Sequence, residues 1–391
     1  MTRPAMVGCT RPRLTLGVYG PGCPSSSGVA RYIQASLPYL REHYDVTHVG
    51  EDTAWDPSSF DVVLYHLGNN VLHHSAFRAL RRRPGPVLLH EYNNLNYYYE
   101  AWQRLDDDER AAVLAMLGRC LGGAFGHRDD LERHLAGHPH VDRYSLDSGI
   151  ESLAVSAATR TLVHSPEAAA VLVGRYPRAR VDVLPFPVGR IPEGNPAAVR
   201  ARLGIAPDTY VFATFGFIGE YKRVEQILTA WQSWSDRPAE ALLLLVGATQ
   251  YDIQLPDEPC VRHTGYLADD DFDALVVAVD CGIQLRHPWL GETSGPTSML
   301  LAHQRPLICT GNLAGQTGVH DSVLLVPTGT GEVAALVEAM RSQHRRPTRP
   351  SRYDSAWSWD TWTSAVTHAL APAPEHVADV DISARSRPTR A

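Results

Sequence analysis

The chain has 391 residues, of which 44% are hydrophobic and 20% charged, and a formal net charge of −7. That length implies two domains of ordinary size, and the acidic balance counts against a nucleic-acid partner or an anionic membrane surface. Six scattered cysteines without a CxxC pair form neither a disulfide framework nor a zinc pattern, so a reducing cytoplasmic setting is expected.

In chain order, the first residues lack the apolar region of a signal peptide. LTLGVYG (14–20) reads as a strand and GVARYIQASLPYL (28–40) as an amphipathic helix. YDVTHVG (44–50), DVVLYHLG (61–68) and PVLLHEY (86–92) are strands, and DDERAAVLAMLGRCL (107–121) is helical. TLVHS (161–165), the helix PEAAAVLVGRY (166–176) and VDVLPFP (181–187) follow. Strands alternating with helices predict a parallel sheet covered on both faces. The Pro/Gly-rich break at 185–196 fits an interdomain connection.

The pattern then restarts. YVFATFGF (210–217) is a strand, RVEQILTAWQSW (223–234) a helix and ALLLLVGA (241–248) a strand. That last stretch is the longest apolar run and is too short to span a bilayer, so membrane contact is expected to be at most peripheral. VRHTGYL (261–267), the helix DDFDALVVAV (270–279) and CGIQLR (281–286) lead to a loop, 290-LGETSG-295. TSMLLAHQ (297–304) is predicted helical, PLICTG and SVLLVP as strands, EVAALVEAMRSQH (332–344) as a helix. The reading is α/β: two Rossmann-like, doubly wound domains facing a central cleft. The first spans 1–190 and is completed by a C-terminal helix at 353–371; the second spans 191–350; 372–391 is a disordered tail.

In such sheets ligands lie beyond the carboxyl ends of the strands, so the loops after strands are the candidates. The first, 20-GPGCPSSSG-28, is neither G-x-G-x-x-G nor a Walker loop, but its small residues, Ser27 and Gly28 among them, let a sugar or anion approach the helix that follows. The second carries His90 and Glu91, then Tyr92 and Asn93, within a stretch dense in aromatics and amides, as carbohydrate sites often are. Core packing explains those aromatics nearly as well.

The third, 216-GFIGEYK-222, brings Lys222 and Arg223 to a helix start, a suitable place for a diphosphate. Lys222 is the only lysine in the chain, against 35 arginines. Where every other cation is a planar fork, one retained point charge marks a position that arginine does not serve. The fourth loop offers the amides of Thr293, Ser294 and Gly295 to a phosphate and Glu292 to sugar hydroxyls. Asp-rich runs at 106–109 and 269–271 read as helix N-terminal caps, not as a metal site.

Taken together, these four loops resemble the retaining glycosyltransferases of family 4 (glycosyl transferases group 1), which have the GT-B fold. The resemblance spans roughly residues 14–370 and rests on the order of the motifs: Gly28, His90, Gly216 through Lys222, and Glu292. It implies that Gly28 lies near donor and acceptor, that His90 lies near the reacting centre, that Lys222 binds the donor diphosphate and that Glu292 holds donor-sugar hydroxyls. It further implies transfer of a hexose from a nucleotide-sugar to a carbohydrate, glycolipid or natural-product hydroxyl, with retention and with neither metal nor cofactor.

The chain departs from the pattern twice. Phe217 stands where an arginine is common, and Arg223, in preference to Arg286, is expected to supply the missing cation. Leu300 stands where a second carboxylate usually holds the ribose. The alternatives on the same fold are a sugar phosphorylase or epimerase, and a degenerate binding or scaffold protein.

Overall fold

The computed structural model describes residues 13–22, 27–51, 55–120, 126–130, 133, 149–191, 196–249, 251–311, 313, 322–346 and 352–371. The expected tail and part of the first loop, 23–26, lie outside these residues.

The N-terminal sheet contains β1 (Thr15–Tyr19), β2 (Asp45–Val49), β3 (Val62–Leu67), β4 (Pro86–Leu89), β5 (Arg160–Val163) and β6 (Val181–Val183). The C-terminal sheet contains β7 (Tyr210–Phe215), β8 (Ala241–Val246), β9 (Val261–Gly265), β10 (Cys281–Gln284), β11 (Leu307–Thr310) and β12 (Val323–Val326). Their orders are β2-β1-β3-β4-β5-β6 and β12-β11-β10-β7-β8-β9, and every pairing is parallel. The apolar runs of β7 and β8 are buried along their whole length, as parallel strands covered on both faces must be.

The helices of the first half are α1 (Gly28–Leu40), α2 (His74–Arg82), α3 (Leu95–Ala101), α4 (Asp107–Cys120), α5 (Ser152–Ala157) and α6 (Pro166–Arg175). Those of the second are α7 (Pro196–Arg202), α8 (Val224–Ser233), α9 (Asp269–Ala278), α10 (Gly295–Ala302), α11 (Glu332–His344) and α12 (Trp359–Leu370). Asp106 and Glu109 do cap α4: each side chain accepts from the other's backbone N–H, at 2.8 and 2.9 Å. The run at 269–271 instead fills the first turn of α9, whose N-cap is Ala268. α12 returns to the N-terminal sheet, where Trp362 is fully buried with Leu16, Val18 and Ile33. No described helix is long and apolar enough to cross a membrane.

The strand order reverses between β1 and β3 and again between β7 and β10, so each sheet opens a crevice at its carboxyl ends. The loops beyond these strands meet. The amides of Tyr92 and Asn93 both donate to the Leu290 carbonyl, at 3.2 Å. Trp289 leaves its own domain to pack in the N-terminal core, edge-on to Tyr92. Arg31 of α1 pairs with Asp269 and Asp273 of α9.

Candidate active site

β7 ends at Phe215, and Gly216 turns the chain with φ +95°. Residues Glu220–Lys222 form a short 3-10 turn that brings Lys222 back beneath the strand end, where its ammonium donates to the Phe215 carbonyl. Glycine suits this backbone angle, and a Cβ on Gly216 would lie 2.5 Å from Lys222 Nζ, so any larger residue would also displace the ammonium. Burial, with the neighbouring Arg286 adding to it, pushes the Lys222 pKa well below the usual lysine range; Glu292 opposes the shift.

Arg286 lies just beyond β10, the strand adjacent to β7. Its guanidinium sits 4.6 Å over the Tyr221 ring, and its Nε is 2.7 Å from Glu292 Oε1. The other carboxylate oxygen of Glu292 accepts from the Leu290 amide at 2.7 Å, and its carbonyl accepts from Trp289 Nε1 at 2.9 Å. Glu292 is therefore fixed at both ends, and its carboxylate already neutralises one cation.

α10 begins two residues earlier than the sequence suggests, because Ser294 Oγ accepts from the Thr297 amide at 3.3 Å and caps it. Pro296 has no N–H, so the amide of Gly295 is the first-turn donor that remains for a ligand. Thr293 is half-buried between Glu292 and this cap. Leu300 is fully buried against β10; a Cβ on Gly282 would lie 2.3 Å from its Cδ1.

Several expected contacts fall elsewhere. Arg223 adopts the left-handed conformation (φ 54°), which turns its side chain away from that of Lys222. Its Nε and Nη2 donate at 2.6 and 2.5 Å to the carboxylate of Glu332, which is 1% exposed. The second cation at the site is Arg286, not Arg223. Tyr92 and Asn93 are buried in the interdomain clasp, where Asn93 Oδ1 accepts from the Leu95 amide. Tyr97, Tyr98 and Trp102 belong to the hydrophobic core. Ser27 Oγ caps α1 by accepting from Val29, and a Cβ on Gly28 would meet nothing within 4 Å.

Across the crevice stand His90 and Glu91. Burial, with Glu292 adding to it, raises the Glu91 pKa to about 8, and Arg286 lowers it in part. Glu91 thus faces the pair of Glu292 and Arg286 with its proton held more tightly than an exposed carboxyl holds it. His90 Nε2 is 3.0 Å from His66 Nδ1, and the two rings stack. Tyr32 meets His90 edge-on at 5.0 Å. Sequence reading did not single out His66, Tyr221 or the approach of Glu91 to Glu292. The only sequence signal for His66 was a polar residue inside the otherwise apolar strand VVLYHL.

No protein-family model matches the chain, and no curated protein does. Solved structures do. HepE from Anabaena, in complex with UDP and glucose, matches over 92% of this chain and 99% of its own at 12% identity and a TM-score of 0.55. Sucrose-phosphate synthase from Thermosynechococcus elongatus matches over 92% and 95% at 13% identity and a TM-score of 0.55. WaaG, a glycosyltransferase involved in lipopolysaccharide biosynthesis, matches over 91% and 95% at 12% identity and a TM-score of 0.52. Likeness at such identity is a likeness of fold: two Rossmann-like domains in the GT-B arrangement.

Proposed function

We propose that the protein transfers a hexose from a nucleotide-diphosphate sugar to an acceptor hydroxyl with retention of configuration, as family-4 enzymes do, using side-chain cations in place of a metal. The observation that carries this reading is the placement of Lys222, Arg286 and the α10 N-terminus at the β7–β10 switch point, opposite His90 and Glu91. The buried Lys222 amine has a carbonyl and a cation near it, so a diphosphate arriving there would offset the burial and the Arg286 repulsion that lower its pKa. Glu292 would hold hydroxyls of the sugar attached to that diphosphate, as the family-4 resemblance implies.

In the reaction, the bond from the anomeric carbon to the diphosphate oxygen breaks as a bond to the acceptor oxygen forms on the same face. The acceptor proton passes to the departing phosphate, and Lys222, Arg286 and the Gly295 amide stabilise its charge. Fold neighbours crystallised with UDP or UDP-glucose support a uridine donor among the candidates.

The test is a thermal-shift screen of UDP-, GDP- and dTDP-sugars followed by assay of nucleoside-diphosphate release. Lys222→Ala is expected to lower transfer by about 10² to 10³ while leaving the unfolding temperature close to that of the parent. Near-normal turnover in that variant removes Lys222 from the mechanism. Buried Leu300, where a ribose-binding carboxylate would stand, supports a second reading: a GT-B protein that binds a nucleotide-sugar without turning it over. Binding without release of nucleoside diphosphate selects that reading.

A further inference from the structure

Behind His90 lies a group of buried histidines that the proposed chemistry does not use. His73 Nδ1 is 2.9 Å from the His66 carbonyl and His164 Nδ1 is 3.2 Å from the Leu184 carbonyl. A carbonyl only accepts, so both rings carry their proton on Nδ1. Their Nε2 atoms are buried and have no hydrogen-bond partner among the described residues. His66 repeats the pattern: its Nδ1 meets His90 Nε2 and its own Nε2 is buried without a partner.

A bare ring nitrogen is the cheaper atom to leave unpaired, since a buried N–H without an acceptor forfeits a strong donor. His66 therefore holds its proton on Nδ1 and donates it to His90. His73 fixes His66 in turn, and a Cβ on Gly68 would lie 2.6 Å from His73 Nε2, so that cradle requires glycine.

We infer that His66 is a positioning residue that locks His90 into the tautomer bearing its proton on Nδ1, so that His90 offers a neutral N–H donor, not a base, to an oxygen of the bound sugar. Burial lowers the pKa of both rings well below the ordinary histidine value, which keeps the pair uncharged. His90 is the partly exposed member of the group. It lies beside Tyr32, which packs on Phe186, and Phe186 faces Gly295 across the crevice at 3.7 Å from a Cβ built there. The role of the donor in transfer rests on the glycosyltransferase reading; the tautomer does not.

The test is nitrogen-15 NMR of the full chain labelled at histidine, with His90 assigned by its loss in His90→Gln. In the parent protein, without any sugar, His90 Nδ1 is expected to be of the protonated type and Nε2 of the unprotonated type. His66→Leu is expected to abolish that signature and to lower kcat with UDP-glucose by about tenfold or more, with KM little changed. His66→Asn, whose amide can reach the position of Nδ1, restores both. A parent His90 protonated on Nε2 overturns the inference with no variant needed, and so does an unchanged signature in a folded His66→Leu. If the signature holds but no nucleotide-sugar is turned over, the lock stands and the glycosyltransferase reading fails.

Discussion

Leu300 shows what a single side chain decides at this site. A carboxylate at that position would complete the family-4 pattern, yet the residue points into the core beside Gly282, where no polar partner reaches it. Leu300→Glu is therefore expected to destabilise the fold by several kcal/mol, since it buries a charge without a partner, and to leave donor affinity no better. Chemical denaturation together with titration of UDP-glucose checks both. A stable variant with tighter binding would return position 300 to the ribose site. Lys222 is the opposite case: its solitude among arginines was visible in the sequence, and the structure buries it against Gly216, where a compact point charge packs closely.

At the scale of an element, the turn before α8 separates two neighbouring cations. Lys222 ends the 3-10 turn; Arg223, left-handed, starts the helix and reaches α11 instead of the crevice. Glu332 also accepts from the Gly329 amide, so this pair ties the two helices and the loop before α11 together. Arg223→Ala leaves a buried carboxylate without its countercharge and is expected to cost about 3 kcal/mol of stability with little change in donor affinity. A large loss of donor binding in a variant of normal stability would restore Arg223 to the diphosphate site. The strands, the long helices and the positions of the four loops were legible from periodicity and caps. The direction of Arg223 was not, because one left-handed residue in a four-residue turn leaves no signature unless it is glycine or asparagine.

At the scale of the molecule, the clasp of Tyr92 and Asn93 on Leu290 carries Glu91 up to Glu292. The folded pKa of Glu91, about 8, lies above its ordinary value of 4.5, so its stabilising effect is complete at acid pH and is lost as pH rises towards 8. His73 and His164 act in the opposite sense. Burial lowers them from 6.5 to about 4, so their contribution is present above pH 6.5 and is lost as pH falls. Lys222 opposes Glu91: above its lowered folded pKa the unfolded chain binds one more proton than the fold, so its contribution makes stability rise with pH while that of Glu91 makes it fall. Between about pH 6.5 and 8 the unfolding temperature of Glu91→Gln is therefore expected to rise relative to that of the parent; equal slopes would mean that Glu91 is already ionised in the fold.

The two parallel sheets and the order of the loops beyond their strands can be read along the chain alone. Apolar periodicity and helix caps are local properties, and a chain that alternates strand and helix can bury its apolar faces in few other ways. Which charges meet is settled in three dimensions. Arg286 rather than Arg223 beside Lys222, Glu91 against Glu292 and His66 behind His90 all depend on side-chain direction and on strands brought together across the sheet. Burial then sets the charge each of them carries, and no stretch of sequence holds that information by itself.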